Sequence, residues 1–225
     1  MGKGGTMDDR GERGRNGSRR IPDATVRRLP AYLRALEEGG RERCTSQELG
    51  RRTGFSSEQV RKDLAYFGAF GTRGVGYDPK ALGGEIRRIL GLDAGVRAVL
   101  VGAGHLGTAL ANFTRRVHKD VVVIALFDTD PTKAGTEVAG IPVLGLDRLS
   151  PVVAEQGVTL GIITVPADAA QSVADALVQG GVRGLLNFAP ITLAVDAKVY
   201  VRNIDLSLEL QALAYFVQAE AIAEV

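Results

Sequence analysis

The sequence predicts an α/β protein in which a small N-terminal domain of short helices precedes a larger domain with an open parallel β-sheet. Two observations predict this class. From Val96 onwards, apolar and β-rich runs alternate with Ala-rich helical segments, as expected when crossover helices connect parallel strands. Before that point, two short helical patterns meet at Gly54, which is typical of a helix-turn-helix.

Composition narrows the class of protein further. The 225 residues, 45% of them apolar, suffice for one large domain or two small ones. No apolar run approaches the roughly 18 to 20 residues of a membrane helix, and residues 1–20 lack the apolar core of a signal peptide. The single cysteine, Cys44, has no internal partner, and no metal-ligand spacing is present. We therefore expect a soluble, cytoplasmic protein without metal or membrane contact.

The charges divide unevenly along the chain. Residues 1–90 hold 19 Lys and Arg against 12 Asp and Glu, a net charge of +7, whereas residues 91–225 hold 9 against 14, a net charge of −5. This asymmetry indicates that the N-terminal part contacts a polyanion. A solvated basic face with no anionic partner is the alternative on charge alone.

The chain divides into four segments. Residues 1–20 are too poor in apolar side chains to offset the entropy of ordering, so we expect a disordered tail. Residues 21–92 form the helical domain with its linking helix, and residues 93–204 form the sheet domain. Residues 205–225 form an apolar helix, which needs a covering surface on another domain or another subunit.

Capping residues and a helix breaker mark the helices of the first domain. Pro30 is expected to break or restart the first helix. Thr45 precedes Glu48 at the spacing of a capping box, and either Ser56 or Ser57 caps the next helix.

The second helix of the helix-turn-helix carries residues expected to contact DNA. Its apolar residues Val60 and Leu64 would face the domain core, which leaves Arg61 and Lys62 outward, where both can donate to guanine. The positions expected to meet base edges are Ser57, Gln59, Arg61 and Lys62.

A glycine-rich wing follows that helix. Glycines at positions 68, 71, 74 and 76 predict a turn or β-wing, and Asp78-Pro79 begins the linking helix. Arg73 and Gly74 are suited to enter a groove or to bind phosphate, and Tyr77 follows them. Four further arginines are candidate phosphate contacts, namely Arg27, Arg28, Arg51 and Arg52.

The segment VLVGAGHLGTAL predicts a dinucleotide site because it follows a β-rich run and opens a helix. Gly102 permits the tight turn, Gly104 lets the backbone approach a pyrophosphate, and Gly107 lets the helix pack on the strand. The free N–H groups of the helix start attract the anion. A turn that binds nothing is the alternative. The expected contacts come from Gly102, Ala103, Gly104, His105, Leu106 and Gly107.

Asp128 ends the next β-rich run, 21 positions beyond Gly107, where an acidic group would bind the ribose hydroxyls. Its charge favours NAD over NADP because it repels the extra phosphate, although Lys133 is close in the sequence. Two later strands also end in candidate cofactor contacts, which ordinary loop chemistry explains equally well. They are Thr164, Val165 and Pro166 after one strand, and Asn187 and Pro190 after the other.

Two other classes of protein remain open from the residues alone. An NAD-dependent dehydrogenase would need an acid or base and a substrate domain, yet the only histidines are His105 and His118 and one helix follows the sheet. A CoA-binding or structural α/β module would show no DNA sequence preference and little salt dependence. We expect no catalytic residue.

Together these motifs resemble the Rex family of bacterial redox-sensing transcriptional repressors. The resemblance implies a homodimer with a winged-helix domain, a Rossmann-like domain and a C-terminal helix exchanged between subunits. It also implies binding to an inverted-repeat DNA operator, with NADH releasing the DNA and NAD or the empty form permitting repression. The segments that carry it are RRLPAYLRAL, VRKDLAYFGAFGTRGVGY, VLVGAGHLGTALANF, FDTDPTKAGTEVAGIPV, TVPADAAQSVADALVQGGVRGLLNFAP and NIDLSLELQAL.

The resemblance also implies roles for single residues. It assigns Arg61 and Lys62 to the major groove, Arg73 and Tyr77 to the wing, the loop from Gly102 to Gly107 to the pyrophosphate, and Asp128 to the adenosine ribose. Near the nicotinamide it implies Asp205 of the partner subunit and Leu206 of the partner subunit.

One position departs from the family pattern. The family often has a Tyr where this chain has Phe113, and its hydroxyl can bond the partner's Asp. Phe113 has no hydroxyl, so we expect stacking of its ring on the nicotinamide instead.

Overall fold

The computed structural model describes residues 21–40, 43–68, 71–72, 75–117 and 120–223. The expectations for residues 1–20, Arg73, Gly74 and His118 lie outside the described residues. The chain divides into two compact units, of which the first ends at Leu90 and the second begins at Gly91.

The first unit has the predicted winged helix-turn-helix. The loop after the third helix includes a short 3-10 turn, and the two strands of the wing pair antiparallel. Its elements are α1 (Asp23–Glu38), α2 (Ser46–Thr53), α3 (Ser57–Leu64), β1 (Gly71–Thr72), β2 (Gly76–Tyr77) and α4 (Pro79–Ile89).

Helix α1 runs through Pro30 without a break, so the expected interruption is wrong. Pro30 cannot donate a backbone hydrogen bond, and an interior proline costs about 3 kcal/mol or more. One face of α1 is nevertheless fully packed, because Leu29, Tyr32 and Leu36 are all at most 4% exposed. Burial of each such side chain contributes about 1.5 to 3 kcal/mol, which outweighs the cost of the proline.

The helix ends follow the capping pattern. The Thr45 hydroxyl accepts the N–H of Glu48 at 3.1 Å, and α2 ends at Gly54, which has a φ of 77° that disfavours other residues. Ser56, rather than Ser57, caps α3 by accepting the N–H of Gln59.

The second unit is an open sheet with helices on both faces. Five of its six strand pairings are parallel, and the short edge strand pairs antiparallel. Its strands are β3 (Val96–Val101), β4 (Val121–Asp128), β5 (Glu137–Val138), β6 (Ile141–Gly145), β7 (Leu160–Ile163), β8 (Gly184–Asn187) and β9 (Tyr200–Asn203), in the order β5-β6-β4-β3-β7-β8-β9.

The helices of this unit cover the two faces separately. Val99 and Val101 of β3 pack with α6 and α7, whereas Leu100 packs with Ala111 of α5. From β6 onward the strand order is that of a Rossmann fold, which confirms the expected class, and the strand order reverses between the parallel neighbours β3 and β7. The helices are α5 (His105–Val117), α6 (Leu149–Glu155), α7 (Ala167–Gly180) and α8 (Leu206–Ala223).

Helix α8 presents apolar side chains on all sides. Asp205 caps it by accepting the N–H of Ser207. Among the described residues, no helix is long and apolar enough to cross a membrane. Seven large side chains of α8 are 59–68% exposed, and they are Leu206, Leu208, Leu210, Leu213, Tyr215, Phe216 and Val217.

Candidate functional site

The glycine loop leaves the end of β3 and begins α5. Gly102 has a φ of 104°, and a Cβ there would lie 2.8 Å from the carbonyl oxygen of Thr164. The Thr164 hydroxyl donates to the carbonyls of Val101 and Gly102 at 3.0 and 2.9 Å. The tight turn is therefore held against the end of β7, and only glycine fits it.

The other two glycines of the loop differ in their surroundings. A Cβ on Gly107 would collide with the carbonyl oxygen of Gly102 and lie 2.9 Å from a methyl group of Leu100, so the helix can pack on the strand only with glycine there. A Cβ on Gly104 would meet nothing within 4 Å. Gly104 thus keeps open the space in which a ligand can approach the backbone.

The first turn of α5 lies beside this open space. Gly104, His105 and Leu106 are exposed, and the Gly104 carbonyl accepts the N–H of Thr108. The N–H groups of a helix's first turn have no acceptor within the helix and carry a partial positive charge. The loop is therefore suited to a phosphate or pyrophosphate group.

Asp128 ends β4 next to the loop and is held by three donors. Its carboxylate accepts the N–H of Ala103 at 2.8 Å, the N–H of Asp130 at 2.9 Å and the ammonium group of Lys133 at 3.0 Å. Burial raises the pKa of Asp128, but these donors outweigh burial and hold the pKa below its usual value. Asp128 is therefore a fixed, ionised acceptor beside the glycine loop.

A cavity of about 390 Å³ joins these groups at the point where the strand order reverses. It brings together six predicted residues, Gly102, Gly104, Asp128, Thr164, Val165 and Pro166. Sequence reasoning missed the apolar wall, which comes from β4, α7 and the turn before α6 and has no motif of its own. That wall includes Phe127, Leu146, Ala169 and Val173.

Nine predicted cofactor residues do not line this cavity, and Asn187 is a clear correction. Asn187 is fully buried, and its amide bonds the carbonyls of Ala189 and Ile191, the side chain of Asn203 and the N–H of Ala189. With these bonds its side chain fastens the loop after β8, so we withdraw it as a cofactor contact. The other eight are Ala103, His105, Leu106 and Gly107 of the glycine loop, together with Phe113, Pro190, Asp205 and Leu206.

On the first unit, α3 presents two exposed basic side chains. Arg61 donates to the Ser46 hydroxyl at 3.1 Å, which connects it to the start of α2. Lys62 pairs with Glu58 at 2.8 Å, one helical turn away. Both contacts join exposed groups, so breaking either one costs little free energy. Both side chains can therefore exchange these contacts for a stronger anionic partner.

Arg28 has a different role from the expected phosphate contact. Its guanidinium donates two hydrogen bonds to Asp63, at 2.6 and 2.8 Å, and lies over the Phe55 ring. Asp63 is 1% exposed, so withdrawing Arg28 would leave a buried charge unpaired. Arg28 therefore joins α1 to α3.

Asp63 accepts hydrogen bonds from four residues, and sequence reasoning missed it. Burial raises the pKa of Asp63, but its donors outweigh burial and lower the pKa to about 2. Its acidic position within the basic run RKD was the available signal. The donors are Thr25 at 2.9 Å, Arg28, Tyr32 at 2.7 Å and Gln59 at 3.0 Å.

The remaining candidates on this unit fall into two groups. Arg52 donates to the carbonyl of Ala35 and pairs with Glu48, so it too has a structural role. Arg27, Arg51 and the α3 residue Ser57 stay accessible to a partner. Tyr77 exchanges backbone hydrogen bonds with Cys44, and burial raises the pKa of its hydroxyl.

The described residues contain no group of three or more His, Cys, Asp or Glu side chains that could hold a metal ion.

Two family models match the chain. One is described as a CoA binding domain and matches residues 94–191, and the other is described as a putative DNA-binding protein N-terminus and matches residues 20–65. Their boundaries fall within the two units.

Curated relatives match nearly the whole chain. A redox-sensing transcriptional repressor Rex from Natranaerobius thermophilus is 44% identical, covering 95% of this chain and 95% of its own length. Its namesake from Streptomyces coelicolor is 49% identical, covering 91% of this chain and 80% of its own.

Solved structures also match more than nine tenths of the chain. RSP in complex with β-NAD+ and operator DNA has a TM-score of 0.82 at 34% identity and covers 91% of this chain and 95% of its own. RSP in complex with β-NADH has a TM-score of 0.79 at 32% identity and covers 92% and 98%.

Proposed function

This chain belongs to the Rex family of redox-sensing transcriptional repressors, and from that premise we propose that it represses transcription by binding operator DNA under the control of NADH and NAD. The observation that carries this proposal is the pairing of the open Gly104 position with the ionised Asp128 in one cavity. The same chain has a winged helix-turn-helix with two exposed basic side chains on α3.

The nucleotide site uses charge and shape together. The loop from Gly102 to Gly107 and the first turn of α5 would hold the pyrophosphate, and Asp128 would accept the adenosine ribose hydroxyls. The bound nucleotide supplies the redox signal, because its oxidised and reduced forms differ at the nicotinamide. Phe113 would stack on that ring, and the remaining contacts would come from Pro190, from Asp205 of the partner subunit and from Leu206 of the partner subunit.

The DNA site uses α3 and the wing. Arg61 and Lys62 would contact bases in the major groove, and Ser57 and Gln59 would lie beside them. The DNA phosphates would be contacted by the wing residues Arg73, Gly74 and Tyr77 and by Arg27. A two-fold homodimer would recognise an inverted repeat, because each subunit contributes one recognition helix. The apolar side chains of α8, which are 59–68% exposed, support a second copy as its cover.

Control by the nucleotide is a coupling between two sites. NADH would release the DNA only if it binds better to the arrangement of subunits that misplaces the recognition helices. A tenfold loss of operator affinity requires about 1.4 kcal/mol of such preference, and the same coupling makes operator DNA weaken NADH binding equally.

The negative charge of Asp128 disfavours binding of two other adenine nucleotides, NADP and CoA. NADP and CoA both carry an additional phosphate on the adenosine ribose, and the lowered pKa of Asp128 keeps a negative charge beside that ribose. We therefore propose NADH and NAD as the ligands. Because the curated relatives are named as transcriptional repressors, we also propose no catalytic role for the chain.

Fluorescence anisotropy on a labelled inverted-repeat duplex tests the proposal. The duplex is selected from a random library with the full chain, and a scrambled duplex serves as its control at the same salt concentration. We expect specific binding, release by NADH, and much weaker effects of NAD, NADPH and CoA.

Two other outcomes would contradict parts of the proposal. Specific binding that no nucleotide changes would support the DNA-binding role and contradict the sensing role. Binding without sequence preference would remove the repressor function itself, and the salt dependence of such binding would then report only phosphate contacts.

A further inference from the structure

Gln59 lies on the recognition helix and is held by a buried acid. Its side-chain Nε2 donates to Oδ1 of Asp63 at 3.0 Å, one helical turn further along α3. Gln59 is half-buried, whereas Asp63 is 1% exposed. The amide therefore spans the boundary between the core of the unit and its surface.

The chemistry of Asp63 determines which end of that amide faces inward. Arg28 donates two hydrogen bonds to the Asp63 carboxylate, and Tyr32 and Thr25 add one each. An ionised carboxylate can only accept hydrogen bonds, so only the NH2 end of Gln59 can face it. A flipped amide would direct its oxygen at the carboxylate and lose the bond. The orientation of this amide is thus set by charge.

The oxygen end of the same amide is left for a partner. Oε1 of Gln59 accepts no hydrogen bond from the described residues. No fully buried side-chain polar atom among them lacks a partner, so Oε1 is at least partly accessible to solvent. It is an acceptor held on the surface of the helix that carries Arg61 and Lys62.

An acceptor on a recognition helix selects among bases. In the major groove adenine and cytosine present amino donors, N6 and N4, whereas guanine O6 and N7 and thymine O4 are acceptors. Phosphate oxygens are acceptors as well, so Oε1 gains nothing from the backbone. We propose that the Asp63 carboxylate orients Gln59 to recognise the exocyclic amine of an adenine or cytosine in the operator.

This inference rests on the proposed function, because it requires a sequence-specific DNA complex. It makes Gln59 a specificity-determining residue and Asp63 a positioning residue. In this contact Gln59 accepts a hydrogen bond from the base. Arg61 and Lys62 are expected to donate hydrogen bonds and so favour guanine.

The test measures base preference position by position. Every single-base variant of the selected operator is titrated with the wild-type chain and with Gln59→Ala by anisotropy. We expect one half-site position at which wild type prefers adenine or cytosine by about tenfold, or about 1.4 kcal/mol, and at which Gln59→Ala shows no preference. Replacing that base with its analogue lacking the amino group should weaken wild type about tenfold and leave Gln59→Ala unaffected.

Gln47→Ala is the matched control, because Gln47 is an exposed glutamine on the neighbouring helix α2. We expect it to retain the preference at that position. An unchanged profile for Gln59→Ala, an equal loss on all sequences, or a preference for guanine or thymine at the affected position would overturn the inference while leaving the repressor function intact. Absence of any sequence preference in wild type would overturn both.

A second variant separates positioning from stability. Asn at position 63 can donate as well as accept, so Asp63→Asn lets the Gln59 amide flip. In protein that circular dichroism shows to be folded, we expect the preference for adenine or cytosine to fall at least threefold at the Gln59 position and not elsewhere. The same loss at every position would instead mark Asp63 as structural only. If Asp63→Asn does not fold, the Gln59→Ala profile alone decides.

Discussion

The ammonium group of Lys133 lies 3.0 Å from Oδ2 of Asp128, the same oxygen that accepts the N–H of Ala103 in the glycine loop. Oδ1 of Asp128 accepts a third donor, the N–H of Asp130. A carboxylate has about four lone-pair sites. Asp128 thus reaches the ribose position already oriented and partly neutralised by Lys133.

Replacing Asp128 tests the ribose contact. Asp128→Asn should weaken NADH binding by about 1.5 to 3 kcal/mol, since it removes a charged acceptor, and should leave operator affinity without nucleotide unchanged. Isothermal calorimetry with NADH and anisotropy with operator measure the two quantities. Asp130→Asn is the control, because Asp130 lies 4.0 Å from Lys133 and does not line the cavity. A parallel loss of operator affinity would make Asp128 structural.

Replacing Lys133 tests the discrimination against NADP. Lys133→Met removes the positive charge beside Asp128, so repulsion of the additional phosphate should increase. Because the ammonium group is partly exposed, with 38% of the side chain accessible, we expect the ratio of the Kd for NADPH to that for NADH to rise about two- to fivefold. Competition against NADH fluorescence measures this ratio. An unchanged or lower ratio would show that the Lys133 charge does not offset the repulsion by Asp128.

The glycines of the loop should separate folding from binding. Gly107→Ala introduces a methyl group into a close contact with Gly102 and Leu100, which should destabilise the second unit by about 1 to 3 kcal/mol. Gly104→Ala meets open space, so we expect an unchanged melting temperature and at least tenfold weaker NADH binding. Calorimetric unfolding and nucleotide titration distinguish the two. Normal NADH binding by Gly104→Ala would exclude the pyrophosphate from this position.

The first unit should lose stability in acid. The pKa of Asp63 is about 2 in the folded chain, against about 3.9 for an unfolded aspartate. A lowered folded pKa stabilises above the unfolded value, so about 2 to 3 kcal/mol should be present at pH 5 and lost as the pH falls from 4 through 2. Calorimetry at pH 5, 3 and 2 measures it. Asp63→Asn should lack this part of the pH dependence, and an equal acid loss in both proteins would assign it to other carboxylates.

The exposed helix α8 should hold two copies together. Leu213→Glu places a charge among its apolar side chains and should shift the protein from dimer to monomer at micromolar concentration, as measured by sedimentation velocity. Gln211→Glu adds the same charge on the same helix and should remain dimeric. If the wild type is monomeric, another part of the same chain must cover α8.

Much of the nucleotide site could be predicted because its signals are local. The three glycines and Asp128 each carry a backbone or charge requirement that is visible along the chain, and the structure gives Gly102 and Gly107 the surroundings predicted for them. The apolar wall from Leu146 and Val173 carries no such signal. It depends on which segments the strand order brings to the reversal point.

The expectations that failed all depended on packing or pairing across the chain. Pro30 lies inside a helix because the buried face opposite it offsets its cost. Asn187 ends a strand at the edge of the sheet where ligands bind. Its amide instead donates hydrogen bonds to the carbonyls of Ala189 and Ile191 in the loop that follows. In both cases the local rule holds, but packing or hydrogen bonding within the folded unit outweighs it.

By itself the sequence determined the class of both units, the helix caps, the glycine loop and the acid at the end of β4, because these depend on backbone geometry and on neighbours along the chain. Only the tertiary structure decided which charged side chains are available to a ligand. Arg28 and Arg61 look alike in the sequence, but Arg28 lies within reach of the buried carboxylate of Asp63 and Arg61 stays at the surface. A buried charge must be paired, so that distance gives Arg28 a structural role and leaves Arg61 accessible to a partner.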